Sequence, residues 1–124
     1  PNFSILFYPV ISMDERITHK GSCVNFLGEE RKTNAKLVEE WSNDKAVRPQ
    51  VTPRVILLMS SDDKVVPPVT NGVAYYTAMN KAGNECTLHI YPSGGHGWGF
   101  RNTAQGFRYH IQMLDDLTTW LQHF

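Results

Sequence analysis

Three apolar runs divide the chain, and a segment of helical periodicity follows each of them. The runs cover residues 3–11, 54–60 and 85–91. The first two are apolar almost throughout, which is typical of strands buried on both faces. The third alternates in part, as expected nearer the edge of a sheet. The pattern therefore predicts three strands.

A short helix is predicted between the first two strands. Thr33 or Asn34 can cap it. Its apolar side carries Leu37, Val38 and Trp41. Residues 12–30 before it are polar and interrupted by glycines, which predicts a long loop that borders a pocket. Residues 43–53 after it form a second loop, because two prolines exclude a regular helix there.

Two further helices are predicted downstream. The first begins at Pro67 and Pro68, since proline is tolerated in a first turn, and ends at Gly83. Its apolar positions have helical spacing and are Val69, Val73, Tyr76 and Met79. The other extends from about Thr103 to the C-terminus. Its apolar stripe comprises Phe107, Ile111, Leu114, Leu117, Leu121 and Phe124.

Strands that alternate with helices indicate a parallel sheet with right-handed crossovers and helices packed on it. The predicted fold class is α/β. In open parallel sheets, ligands and functional groups gather at the carboxyl ends of the strands. Asp63 follows the second strand, and His96 follows the third within a glycine-rich loop. We expect the two side chains to meet although they are distant in sequence.

The composition is that of one globular domain. The 124 residues are 41% apolar and 19% charged, and twelve basic residues balance twelve acidic ones. Such a balance gives no electrostatic basis for binding nucleic acid or an anionic membrane. No apolar stretch approaches the roughly 20 residues of a membrane-spanning helix. We predict a single soluble domain over residues 1–124, with no nucleic-acid partner and no membrane partner.

The two cysteines, Cys23 and Cys86, fit no zinc or CxxC spacing. Two separate thiols are favoured, and a disulfide between them stays open. A zinc site built from His89, His96 and Asp63 has no recognisable ligand spacing. We therefore expect neither a metal ion nor a cofactor.

Asp63 and His96 are the candidate catalytic residues. A carboxylate beside a histidine holds the ring in one tautomer and stabilises the imidazolium. The alternative is that Asp62 and Asp63 form only a turn after the strand, with His96 an ordinary loop residue. Glycines around His96 allow the backbone angles that a catalytic loop needs, which favours function. Trp98 is either a wall of a substrate pocket or a cover on the helix below it.

Five short segments carry a resemblance to a known family. DKVVP at residues 63–67 and GGHGWG at residues 94–99 look like the last third of an α/β-hydrolase. FYPVIS at residues 7–12, THKGS at residues 18–22 and LG at residues 27–28 resemble its esterase branch, often labelled acetyl-xylan esterase or esterase/lipase-like. The segments follow in the family's order, and the resemblance spans nearly the whole chain.

The resemblance implies the C-terminal portion of an α/β-hydrolase fold, a three-layer α/β/α structure when complete. The family's acid stands four residues before a proline, here Pro67, so Asp63 corresponds to the triad acid. His96 corresponds to the base, which takes a proton from a serine hydroxyl and returns one to the leaving alcohol. The implied substrate is a small-molecule or carbohydrate ester, with acetylated sugars among the candidates.

The sequence departs from the family's pattern at the nucleophile. The family carries its serine in Gly-x-Ser-x-Gly and its oxyanion donors in an upstream His-Gly-Gly segment. Residues 1–124 contain neither, and Ser22 and Ser93 do not complete the motif. Each missing oxyanion donor corresponds to about 3 kcal/mol of transition-state stabilisation. We expect a fragment of a serine carboxylesterase that is inactive on its own.

Two alternatives stay open. Serine peptidases of the prolyl-oligopeptidase type share the acid and histidine arrangement, although the THKGS loop favours the esterase. A non-catalytic piece would bind without turnover. A strand from Phe3 to Tyr8 without a neighbour would leave backbone groups unpaired. We therefore expect it to associate with the N-terminal portion of the same hydrolase or with a second copy. The compartment is not determined, and the family analogy allows secretion or a periplasmic location.

Overall fold

The computed structural model describes residues 1–101 and 107–123. Its elements in chain order are strand β1 (Phe3–Phe7), helices α1 (Lys20–Leu27) and α2 (Ala35–Trp41), strand β2 (Arg54–Ser60), a π-helical turn (Val69–Val73) that continues into α3 (Ala74–Lys81), strand β3 (Cys86–Tyr91) and helix α4 (His110–Leu121). The strands form one parallel sheet in the order β1-β2-β3. The predicted α/β class and the three strands are confirmed.

β2 is the centre of the sheet and of the core. Six of its seven residues are buried. Ile56 and Leu58 pack on one face with residues of α4, whereas Val55 and Leu57 pack on the other face with Met79 of α3. Helices therefore cover both faces, which explains why the strand is apolar throughout.

β1 is shorter than the strand predicted over residues 3–11. It ends at Phe7 because Tyr8 adopts a φ of 38° and Pro9 has no backbone N–H to continue the ladder. The Tyr8 N–H still donates to the Leu58 carbonyl at 2.8 Å. The apolar residues that follow have another use, since Val10 packs against a small second core beneath α1 and α2.

The prediction of a continuous loop over residues 12–30 is wrong, because α1 lies within it. The His19 side chain caps this helix by accepting a hydrogen bond from the Ser22 N–H. Its buried residues are only Cys23 and Leu27, which pack with Met13. Such a narrow stripe gives little periodicity in the sequence.

The short helix predicted next is α2. Asn34 caps it, with Oδ1 accepting from the Leu37 N–H at 3.2 Å. Leu37 and Val38 pack against the second core as predicted. Trp41 instead lies 47% exposed beside Phe26.

The helix predicted after Pro67 begins with a π-helical turn rather than an α-helical one. Of its predicted apolar face, Val69 is exposed and Met79 is fully buried. Gly72 lies in the π-helical turn, where a Cβ atom would come within 2.2 Å of the Met59 sulfur. The turn therefore approaches the sheet too closely for a side chain.

The predicted stripe is buried only in part, at Phe107 and Leu117, and α4 also buries residues outside it. Met113 and Trp120 are buried, whereas Ile111 is 70% exposed. The helix carries apolar residues on two sides, so periodicity alone could not select the side that faces the sheet. The predicted start near Thr103 and the predicted stripe residue Phe124 lie outside the described residues.

Cys23 and Cys86 are separate thiols, as favoured from the sequence. Burial raises the pKa of Cys86 to about 12 and also raises the pKa of Cys23. Among the helices of residues 1–101 and 107–123, none combines the length and the apolar character needed to cross a bilayer.

Asn71 joins the segment after β1 to the segment after β2. Its side chain is fully buried, and Oδ1 accepts hydrogen bonds from the backbone N–H groups of Ile11 at 2.9 Å and Ser12 at 3.2 Å. Its Nδ2 donates to the Pro67 carbonyl at 3.0 Å. The carboxyl ends of β1 and β2 are thereby held on one surface.

We predict that Asn71→Ala lowers the free energy of unfolding by about 2 kcal/mol or more. The substitution leaves the Ile11 and Ser12 N–H groups buried without an acceptor, and each such group costs about 1–3 kcal/mol. Urea denaturation followed by tryptophan fluorescence measures the change. Asn80→Ala is the matched control, because Asn80 is exposed on α3. A loss as small as that of the control would contradict the role of Asn71.

Candidate active site

The loops after β2 and β3 begin side by side. Ser60 is the register partner of Tyr91, and the Ser61 N–H extends the pairing by donating to the Tyr91 carbonyl at 2.7 Å. Asp63 lies in the first loop and His96 in the second. The parallel sheet therefore brings the two residues predicted from the sequence to one edge.

Asp63 and His96 form a hydrogen bond. Asp63 Oδ2 lies 2.8 Å from His96 Nδ1. The other carboxylate oxygen, Oδ1, accepts from the backbone N–H groups of Val65 at 2.9 Å and Val66 at 2.8 Å. The Asp63 side chain is 0% exposed, so these three bonds replace its hydration and fix its orientation.

His96 is oriented but accessible. Since an ionised carboxylate only accepts hydrogen bonds, Asp63 selects the tautomer of neutral His96 that carries its proton on Nδ1. The side chain is 31% exposed. Within the described residues, Nε2 makes no hydrogen bond. The ring can therefore accept a proton at Nε2 while Asp63 stabilises the resulting charge.

Tyr8 is a neighbour of His96 that the sequence analysis did not single out. Its ring centroid lies 4.5 Å from that of His96 and 5.3 Å from that of Trp98. A positive φ is unusual for so large a side chain and costs about 1–3 kcal/mol. In the sequence, the only indication of this turn was the Tyr8-Pro9 pair at the end of a strand. Tyr8 thus forms the β1 side of the surface around His96.

Trp98 belongs to the core. It is 5% exposed, its ring stacks on Phe107 at 3.9 Å, and its indole N–H donates to Ser60 Oγ at 2.8 Å. Of the two predicted roles, pocket wall or packing residue, these contacts favour the packing residue. A contact with substrate stays a prediction.

Glycines determine the shape of the histidine loop. Gly94 has a φ of 141°, and a Cβ atom there would lie 2.6 Å from the Phe107 ring and 2.8 Å from Ser60 Oγ. Gly95 has a φ of 61°, but a Cβ atom there would meet nothing within 4 Å. Gly94 is therefore required by both backbone and space, and Gly95 by backbone alone.

Two of the other histidines have partners elsewhere. His19 caps α1, and His89 Nδ1 lies 3.7 Å from Asp116 on the side of the sheet covered by α4. Over the described ranges, no three His, Cys, Asp or Glu side chains are grouped in a way that could hold a metal ion.

A cleft on another part of the surface is separate from the acid and histidine. It has a volume of about 690 Å³ and lies between the loop of residues 12–17, α2 and the π-helical turn. Acidic and basic side chains both line the cleft. One of them is Asp14, whose pKa is lowered to about 2 by its hydrogen bond with the Arg16 guanidinium. The segment predicted to border a pocket does border one, although neither Asp63 nor His96 lines it.

The acid, the histidine and the sheet that joins them have a counterpart among known proteins. The model of the prolyl oligopeptidase family matches residues 8–123. The chain belongs to the prolyl oligopeptidase family. This family membership, together with the parallel sheet, confirms the resemblance to an α/β-hydrolase.

Proteins that are similar to this chain include ester hydrolases. An acetylxylan esterase of Xylanibacter ruminicola is 57% identical over 122 residues, which are 98% of this chain and 25% of the esterase. The structure of an acetyl ester-xyloside bifunctional hydrolase from Caldicellulosiruptor lactoaceticus has a TM-score of 0.81 and 30% identity, over 98% of this chain and 43% of that one.

A carboxylesterase from Lactobacillus plantarum has a TM-score of 0.71 and 26% identity, over 98% of this chain and 44% of that one. The chain therefore spans a quarter of the length of the acetylxylan esterase and less than half of either structure. The activities of these longer proteins therefore do not by themselves assign an activity to residues 1–124.

We predict that alanine at Gly94 and at Gly95 has unequal effects. Gly95→Ala costs about 1–2 kcal/mol for a left-handed backbone. Gly94→Ala adds the overlap with Phe107 and Ser60, for a total of about 3 kcal/mol or more. Chemical denaturation of both variants measures the difference. Equal losses would contradict the close packing of Gly94 described above.

Proposed function

We propose that this chain supplies the acid and the base of a serine carboxylesterase. The observation that carries the proposal is the hydrogen bond of 2.8 Å between the buried Asp63 carboxylate and the accessible His96 ring. A desolvated carboxylate that orients a histidine is the arrangement by which serine hydrolases activate a hydroxyl group. Membership of a hydrolase family supports the same assignment.

In this proposal, His96 Nε2 removes the proton from a serine hydroxyl as the serine attacks the ester carbonyl. The same nitrogen then protonates the leaving alcohol, and it repeats both transfers with water to release the acid. Asp63 keeps the proton on Nδ1 and stabilises the imidazolium. The serine and the oxyanion donors come from residues outside 1–124, since this sequence has no Gly-x-Ser-x-Gly.

The proposed substrates are acetyl esters of plant polysaccharide, with acetylated xylan first. Support comes from the relative that is 57% identical, an acetylxylan esterase, and from a structural neighbour described as an acetyl ester-xyloside hydrolase. The peptidase alternative shares the family name. It is less favoured, because the relatives at 57% and 30% identity are both named for acetyl esters.

The outer edge of β1 at Ile5 and Phe7 is the proposed contact with the rest of the hydrolase. The Tyr8 N–H donates to β2, so alternation along the strand directs the N–H of Leu6 to β2 as well. The N–H and C=O groups of Ile5 and Phe7 then point away from β2. Within the described part of the chain, no strand lies on that side. Such an edge pairs readily with another strand.

We predict that a chimera restores activity. In the acetylxylan esterase of Xylanibacter ruminicola, the matching segment is replaced by residues 1–124, and acetate release from acetylated xylan is measured. The chimera is expected to be active, and His96→Gln or Asp63→Asn is expected to lower its kcat/KM by about 10⁴-fold or more. His89→Gln is the matched control and is expected to have little effect, because His89 faces Asp116 of α4 and not Asp63 or His96.

Labelling with a fluorophosphonate separates this proposal from an enzyme complete within 124 residues. The reagent modifies activated serines, and intact mass reports the addition. The chimera is expected to gain one label and the isolated chain none. Retained activity in the His96→Gln chimera, or a labelled serine in the isolated chain, would refute the proposed division of roles.

A pair of proline substitutions tests the edge of β1. Ile5→Pro removes an N–H that faces away from β2, whereas Leu6→Pro removes one that faces β2. In the isolated chain we expect Ile5→Pro to be tolerated and Leu6→Pro to unfold the sheet, because proline is compatible only with an unpaired edge. In the chimera we expect both to destabilise. A chimera that is indifferent to Ile5→Pro would rule out strand pairing at this edge.

A further inference from the structure

Asp62, next to the candidate acid, makes a contact that the proposed acid and base do not require. Its Oδ1 accepts a hydrogen bond from the Gly95 N–H at 2.8 Å. Hydrogen bonds from the backbone N–H groups of Gly95 and Gly94 lower the pKa of this carboxyl below its usual value. Asp62 is therefore an ionised acceptor at neutral pH, attached to the residue that precedes His96.

Two successive acids thus contact two successive residues of the opposite loop. Asp62 holds the Gly95 backbone, and Asp63 holds the His96 ring. Asp63 is buried, whereas Asp62 is exposed at the rim. The pairing is a side-chain continuation of the β2–β3 ladder beyond the last backbone bond at Ser61.

On this side of His96, Gly94 packs against Phe107 and Ser60. Gly95 lacks such packing, since a Cβ atom there would meet nothing within 4 Å, and the Asp62 carboxylate holds its N–H. On the other side of His96, the Trp98 indole is fixed by Ser60 Oγ at 2.8 Å. Ser60 therefore contacts the histidine loop on both sides of His96, at Ser93 and Trp98, and Asp62 holds the residue directly before His96.

We propose that Asp62 is a positioning residue for His96, acting through the Gly95 N–H to keep the imidazole Nδ1 directed at Asp63. The inference rests on the proposed function, in which His96 is the base. It assigns adjacent acids two separate roles: Asp63 sets the tautomer and Asp62 sets the position of the loop. Loss of Asp62 then affects the reaction step rather than ester binding.

The test is the tautomer of neutral His96 in the 124-residue chain, read from its ring ¹⁵N chemical shifts. In the unmodified chain and in Asp62→Asn, which keeps an acceptor oxygen, we expect the Nδ1–H form. In Asp62→Ala we expect a shift towards the Nε2–H form, because the ring is no longer held against Asp63. Asp63→Asn provides the reference for a lost carboxylate, since an amide N–H directed at Nδ1 selects the Nε2–H form.

An Asp62→Ala chain that keeps the Nδ1–H form would overturn the proposal. A shift of equal size in Asp62→Asn would overturn it too, because the role then lies in charge and not in holding the loop. Circular dichroism reports whether each variant is folded. If the alanine variant does not fold, Asp62→Ser decides by the same criterion, since its hydroxyl ends one bond short of the Asp62 Oδ1 position.

Kinetics of the chimera separate a failure of this inference from a failure of the proposed function. We expect Asp62→Ala to lower kcat by about 10²-fold, because a displacement of about 1 Å at a catalytic group has such an effect. KM is expected to stay unchanged, and Asp62→Asn to restore kcat. An equal rise in KM would overturn the positioning role. If only the proposed function is wrong, the tautomer shift persists while the His96→Gln chimera stays active.

Discussion

The parallel pairing of β2 with β3 is the constraint on which the rest of the site depends. The register places Ser60 beside Tyr91 at the end of the ladder. Beyond it, two successive residues of one loop contact two successive residues of the other, Asp62 with Gly95 and Asp63 with His96. A slip of one residue would turn every side chain of a strand to the opposite face. The buried faces of β2 therefore also fix the geometry of the acid and the histidine.

Burial is the property that the sequence revealed best. β2 was predictable because helices cover both its faces, and a continuous apolar run is the direct result. The contact of Asp63 with His96 followed from the rule that parallel strands end at one edge. α1 was missed because only Cys23 and Leu27 are buried on it. The buried face of α4 was predicted only in part, at Leu117, because Ile111 and Met113, on different sides of the helix, are equally apolar.

Hydrogen bonds from side chains to backbone N–H groups could not be predicted from the sequence. Asn71 is held by the N–H groups of Ile11 and Ser12, and Asp62 by that of Gly95. Almost every residue carries an N–H group, so the partner in such a bond has no signature in its side chain. The sequence could therefore place Asp62 beside the acid but could not show what it holds.

The acid and histidine are assembled entirely by contacts within this chain. Asp63 is desolvated, which is unfavourable for a carboxylate unless its oxygens are satisfied, and three hydrogen bonds satisfy them. None of these bonds involves a nucleophile, so the orientation of His96 does not depend on one. Tyr8 lies against His96 on the side of β1, the terminal strand of the sheet among the described residues. A serine carried at the end of a strand next to β1 would therefore meet a base already oriented. Catalysis would require only that one hydroxyl group and its oxyanion donors come into range.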